Sequence, residues 1–111
     1  MPGHDPQMLK GVLALLLLQL LEREDAYGYA VVVRLREAGI TELAEGSVYP
    51  ALTRMQQAGW LESYLEASGS GPARKYYRIT DAGRAELTER RAAWGRLQQT
   101  VRTVLETKGS S

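Results

Sequence analysis

Residues 12–21 (VLALLLLQLL) form an apolar run that places leucine on almost every side of a helix. A membrane-spanning helix needs about 20 apolar residues, so this run is too short to cross a bilayer. It also lacks the small-residue cleavage site of a signal peptide, and charged residues follow at once from Glu22. The run therefore predicts a helix buried on nearly all sides. A small domain covers only part of such a surface, which favours packing against a partner chain.

The bulk composition limits the chain to one domain. Its 111 residues suffice for a single modest core. Cysteine is absent, which excludes disulfides, thiolate zinc sites and thiol nucleophiles and fits a cytoplasmic protein. Fourteen Lys and Arg residues balance thirteen Asp and Glu residues, so any basic surface must arise from local arrangement.

Periodicity and turn signals predict a mainly α chain with a small β-hairpin. Gly39 and Gly59 each follow a helical stretch and precede an apolar residue, as in a left-handed helix cap. Ser47 is the predicted N-cap of the third helix, which puts Pro50 at the third position, where proline is tolerated. Thr80 is the predicted N-cap of the last helix. The predicted elements are helices at 8–22 and 27–38, a third helix after Ser47, strands at 61–66 and 75–79 around a long mobile tip at 67–73, a helix at 81–106, and flexible tails at 1–7 and 107–111.

The third helix has two chemically different faces. Apolar side chains at helical spacing predict an inner face: Val48, Ala51, Leu52 and Met55. The outer face offers phenol, hydroxyl, amide and guanidinium groups without a carboxylate: Tyr49, Thr53 and Gln57, with Pro50 and Arg54 beside them. Such groups suit base edges and phosphates in a major groove, although an ordinary solvated face is the alternative.

Basic residues cluster on the second hairpin strand, where Arg74, Lys75 and Arg78 surround two tyrosines. A flexible basic tip can rest on the phosphate backbone beside a helix in the groove. A helix-turn-helix followed by a basic hairpin is the winged-helix arrangement, and most such domains bind DNA. Because fold alone does not fix function, a winged-helix module that binds a protein remains the alternative.

The last helix predicts dimerisation. Its a and d heptad positions are apolar, with an interruption at Arg90: Leu87, Trp94, Leu97, Val101 and Val104. The helix is too long for a small body to cover, and a twofold dimer would set two reading helices on half-sites about 34–36 Å apart. Trp94 near the twofold axis would pair with its copy, and two indoles can hold a planar aromatic ligand between them. A plain packing role for Trp94 is the alternative.

No motif for catalysis, metal binding or a cofactor is apparent. The only histidine, His4, lies in the predicted N-terminal tail, and Ser47 has no nearby histidine base. No Gly-rich phosphate loop precedes a helix, and metal ligands are not clustered. We therefore expect no enzymatic activity and no cofactor.

Four stretches resemble the PadR-like transcriptional regulators: LKGVLALLLLQLL, YGYAVVVRLREAG, EGSVYPALTRMQQAGWLE and ARKYYRITDAGRAEL. They cover about residues 9–87, and the long last helix suits the branch of the family with a single C-terminal helix. The resemblance implies a winged helix-turn-helix DNA-binding domain at 8–80 and a dimerisation helix at 81–106. It also implies a homodimeric repressor that leaves a palindromic double-stranded operator when an effector binds or a signal arrives, in the cytoplasm and without membrane contact.

The resemblance also implies roles for particular residues. The family's DNA-reading helix falls on Ser47, Tyr49, Pro50, Thr53 and Arg54. Its wing falls on 69–75, where Arg74 and Lys75 would meet phosphate, and Lys10 would add a backbone contact. Trp94 is placed like the tryptophan with which multidrug-sensing members stack on flat aromatic drugs. The chain departs from the family at Tyr27, where histidine is frequent.

Overall fold

The computed structural model describes residues 3–107, and their elements follow the predicted order with one addition. Four helices flank a three-stranded antiparallel sheet whose strand order is β1-β3-β2. The elements are α1 (Pro6–Arg23), β1 (Ala26–Tyr27), α2 (Gly28–Glu37), α3 (Glu45–Gln57), β2 (Leu61–Ser68), β3 (Gly71–Ile79) and α4 (Asp81–Glu106). This confirms the predicted fold class, a winged helix followed by a long C-terminal helix.

Helix α1 starts two residues before the predicted position, inside the region predicted to be a tail. The Asp5 carboxylate accepts hydrogen bonds from the amides of Gln7 and Met8 at 2.8 and 3.3 Å, and Pro6 occupies the first turn, where its missing amide costs nothing. Positions 1–2 and 108–111 of the predicted tails lie outside the described residues. In the described part of the chain no helix combines the length and apolarity that a membrane crossing requires.

The two predicted glycine caps are confirmed. Gly39 and Gly59 have φ angles of +100° and +85°. After each glycine, the amide of the next residue bonds back five residues, from Ile40 to the Leu35 carbonyl at 2.8 Å and from Trp60 to Met55 at 3.0 Å. This bonding is the Schellman motif, in which a left-handed residue lets the last carbonyls find donors.

The predicted start of α3 is wrong. The helix begins at Glu45, and the Ala44 carbonyl accepts hydrogen bonds from the amides of Ser47 and Val48 at 3.0 and 2.9 Å. Ser47 is therefore inside the first turn, and Pro50 is at the sixth helical position. The reason is a pair of apolar anchors: Leu43 before the cap and Val48 at the fourth position are both buried, as in a hydrophobic staple.

The sheet also differs from the prediction. Strand β1 is only two residues long and pairs Ala26 and Tyr27 with β3, so Tyr27 lies in a strand and not in a helix. The hairpin strands extend to a two-residue turn after Ser68, where Gly69 has a φ of +67°. Most of the predicted long tip therefore belongs to the two strands, and Pro72 is accommodated at an irregularity in the register.

A single core joins α1, α2, α3, the sheet and the first turns of α4. Its fully buried members include Leu17, Leu18, Val32, Leu52 and Leu87. After Arg90 every residue of α4 is exposed, and we call residues 91–106 the arm. The remainder of the described chain is called the body.

Candidate nucleic-acid interface

Helix α3 presents its polar face to solvent. The predicted inner face is confirmed, since Val48, Ala51, Leu52 and Met55 are all buried. The predicted DNA-contacting side chains of this helix are all exposed on the other side: Ser47, Tyr49, Pro50, Thr53, Arg54 and Gln57. No carboxylate lies between Glu45 and Glu62, so the exposed face after the first turn carries no negative charge.

Tyr49 is held across the start of α2. A Cβ atom added at Gly28 would lie 2.6 Å from Cε1 of Tyr49, so glycine makes room for the ring. Burial raises the pKa of Tyr49 above its usual value, and the nearby carboxylate of Glu45 raises it further. The phenol is therefore neutral at physiological pH and can donate a hydrogen bond. The Thr53 hydroxyl donates to the Tyr49 carbonyl at 3.1 Å, which leaves the Thr53 oxygen free to accept.

On one side of α3, a depression of about 250 Å³ separates the helix from the hairpin; we call it the hairpin depression. Its lining contains four tyrosines, two cations and no carboxylate: Tyr27, Gly28, Tyr29, Tyr49, Arg74, Lys75 and Tyr77. The Arg74 guanidinium lies 4.6 Å from the ring centroid of Tyr27, and Lys75 Nζ lies 5.4 Å from that of Tyr77. Within residues 3–107, neither cation forms an ion pair.

On the other side, a depression of about 320 Å³ lies between α1, α3 and α4; we call it the helix depression. Lys10 and Arg54, two of the predicted DNA-contacting residues, line it together with Arg90 and Trp60. The polar face of α3 thus has two cations on the hairpin side and three on the α1 side.

Sequence reasoning assigned Arg78 to the basic cluster, but its charge is already matched. Arg78 Nε lies 2.8 Å from Glu62 Oε1, and its guanidinium covers the Tyr64 ring at 5.0 Å. Tyr29, by contrast, was missed. It is 46% exposed and lines the hairpin depression. Its place in the first turn of α2, directly after Gly28, was the available signal.

Comparison with known proteins assigns the chain to a family. The profile of the Transcriptional regulator PadR-like family matches residues 17–89, which is well over half of the chain. The chain belongs to the PadR-like family of transcriptional regulators.

Solved structures of PadR-like regulators share its fold. The PadR-like transcriptional regulator from Bacillus cereus is 44% identical, with a TM-score of 0.82 over 92% of this chain and 99% of that one. A PadR family transcriptional regulator from Eggerthella lenta is 40% identical, with a TM-score of 0.84 over 92% and 88% of the two chains. A transcriptional regulator from Mycobacterium tuberculosis is 43% identical over 63 residues, which is 57% of this chain and 55% of that protein.

The arm of this PadR-like chain contains all the residues predicted for the dimer interface except Leu87. Leu87 is 2% exposed and packs in the protomer's own core, so it is not available to a partner. The other residues predicted for the dimer interface are between 40% and 67% exposed: Trp94, Leu97, Val101 and Val104. Leu105, which was not predicted, is 78% exposed.

Trp94 lines an apolar groove between α1 and α4, which we call the Trp94 groove. Its volume is about 480 Å³, and apolar side chains dominate its walls, among them Met8, Val12, Leu15 and Leu97. Asp5 and Arg90 contribute charged groups, and the Asp5 carboxylate is already used in capping α1. The described lining includes no residue of α3.

Proposed function

We propose that this PadR-like regulator binds double-stranded DNA as a homodimer and represses transcription from a palindromic operator in the cytoplasm. The observation that carries the proposal is the polar, carboxylate-free face of α3 with cations on both sides. A helix in the major groove reads base edges, while cations on its flanks meet the two bordering phosphate strands.

Each part of the surface has a proposed role. Tyr49, Thr53 and Gln57 face base edges, with Ser47 and Pro50 at the front of the helix. Arg74 and Lys75 meet phosphate on the hairpin side, and Lys10 and Arg54 meet it on the α1 side.

The arm is the proposed dimer interface. Its exposed apolar side chains form one stripe along the helix, and a helix surface of this kind is stable in water when another chain covers it. An isologous pair of arms would place two α3 helices on successive half-sites, about 34–36 Å apart.

A planar aromatic effector is proposed for the Trp94 groove. The groove is apolar, partly lined by an indole and directly beside the proposed dimer interface, so a ligand there is able to alter the distance between reading helices. Release from DNA then requires that the ligand bind one dimer geometry more tightly than the other.

The proposal is tested by selecting duplexes from a random pool with the full chain and measuring their affinity by fluorescence anisotropy. The logarithm of the affinity is expected to fall with the logarithm of salt concentration, with a slope of about −0.9 per phosphate contact. Arg54→Ala is expected to weaken binding to all duplexes and to reduce the magnitude of the salt slope by about 1. Arg36→Ala, which removes an exposed cation on α2 outside both depressions, should leave affinity nearly unchanged.

The competing function is a winged-helix module that binds a protein through the same face. It is the better account if selection enriches no duplex, or if the binding ignores both salt and Arg54→Ala.

A further inference from the structure

Arg90 is the residue that interrupts the apolar heptad positions of α4, and its side chain lies against Trp60 of the body. Its guanidinium lies 5.0 Å from the ring centroid of Trp60, and its Nε lies 2.7 Å from Glu86 Oε2. Arg90 thus turns towards the end of α3, whereas the residues before and after it in the heptad are apolar.

Trp60 connects the end of α3 to the start of α4. Its amide donates to the Met55 carbonyl in the Schellman cap of α3, and its own carbonyl accepts the Thr80 amide at 3.0 Å. The contact is close, because a Cβ atom at Gly83 would collide with the Trp60 carbonyl oxygen. A displacement of Trp60 therefore disturbs the last turn of α3.

We propose that Arg90 is a positioning residue of the DNA-reading helix. By covering the Trp60 indole, it holds the last turn of α3 in a fixed relation to α4. This inference rests on the proposed function of α3, but the contacts that support it are within one chain.

Arg90 also lies where two surface features meet. It lines the Trp94 groove and the helix depression that contains Lys10 and Arg54. Since Arg90 lines both features, an occupant of the groove that moves its guanidinium would alter the contact with Trp60 at the end of α3. The attraction between a guanidinium and an indole weakens when the cation leaves the face of the ring.

The competing role for Arg90 is direct contact with a DNA phosphate, since it shares the helix depression with two proposed phosphate contacts. Salt distinguishes the two roles. A lost phosphate contact reduces the magnitude of the salt slope by about 0.9, whereas a misplaced reading helix lowers affinity for the selected duplex at unchanged slope.

The experiment is a double-mutant cycle between Arg90 and Trp60, with affinity for the selected duplex measured by anisotropy. Arg90→Met retains an unbranched side chain without the charge and is expected to weaken binding about three- to tenfold with no change in salt slope. In a Trp60→Leu background, Arg90→Met should weaken binding by less than about twofold, because its partner is gone. Arg84→Met is the matched control and should have no effect, because Arg84 is exposed on α4 before the arm and also forms an ion pair within the helix, with Asp81.

Hydrogen exchange provides a readout that does not need DNA. In Arg90→Met, the amides of Gly59 and Trp60 should exchange faster, while the amides at the Gly39 cap keep their wild-type rates. A reduced salt slope, equal losses in both backgrounds, or unchanged exchange at Gly59 and Trp60 would each overturn the proposal. If the wild-type chain selects no duplex, the proposed function fails, and the exchange measurement alone decides whether Arg90 holds the end of α3.

Discussion

Helix α4 is continuous, but its first turns and its arm differ in what they pack against. In the first part, the Thr80 hydroxyl accepts the Gly83 amide at 3.0 Å, and Leu87 is buried in the body. In the arm, every residue is exposed, including five large apolar side chains. Helices in water gain most of their stability from packing an apolar face. The body therefore completes its own core, whereas the apolar side chains of the arm are exposed, which supports the proposed dimer.

The largest expected effect comes from disrupting the proposed interface between two arms. Leu97→Glu with Val101→Glu places two charges on the apolar stripe and should convert the dimer into a monomer by sedimentation equilibrium. Affinity for the selected duplex should fall by about 100-fold or more, because a monomer binds through one reading helix and lacks the avidity of the dimer's two. The control Gln99→Glu with Thr103→Glu adds the same charge to the opposite side of the arm and should leave both quantities near wild type. A dimer that survives the stripe substitutions would contradict the proposed interface.

The second effect compares two leucines of the same helix in the monomeric double-glutamate background. Leu87→Ala should lower the free energy of unfolding by about 2–5 kcal/mol, since it leaves a cavity in the body. Leu105→Ala should change it by less than about 0.5 kcal/mol, because the side chain is 78% exposed and has no partner in a monomer. Urea unfolding measures both. Equal losses at the two positions would remove the distinction between body and arm.

The smallest effect concerns a hydrogen bond inside the body. The Tyr64 hydroxyl donates to Asp25 Oδ2 at 2.7 Å, and this bond raises the pKa of Tyr64 from its ordinary value of 10 to about 12. Because the folded pKa is the higher one, the stabilisation is present below pH 10 and is lost as the pH rises towards about 12.

Tyr64→Phe should abolish that part of the alkaline destabilisation, measured as urea midpoints across this pH window. The double-glutamate monomer should retain it, since the bond joins two segments of the body. A wild-type pH profile that matches that of Tyr64→Phe would show that the bond contributes nothing.

The features that sequence reasoning predicted well are those with local causes. The caps at Gly39 and Gly59 need only a glycine and the apolar residue after it. The inner face of α3 follows from helical periodicity, and its exposed face follows as the complement.

The sequence predictions failed where contacts between residues far apart in the chain determine the structure. Ser47 has the chemistry of an N-cap, but burial of Leu43 starts α3 three residues earlier. Strand β1 exists because Tyr27 pairs with β3, a partner 49 residues further along the chain. Leu87 has the spacing of the arm residues, and only the position at which the body ends separates it from them. The depressions beside α3 combine residues from several elements, so the sequence order did not reveal them.

The proposal that two arms aim two α3 helices at one duplex is tested by hydroxyl-radical footprinting of the selected duplex. We expect two protected patches on one side of the duplex, with centres about 34–36 Å apart, and their joint loss in the Leu97→Glu, Val101→Glu variant at the same protein concentration. A single protected patch for the wild-type chain, or two patches that persist in the variant, would contradict it.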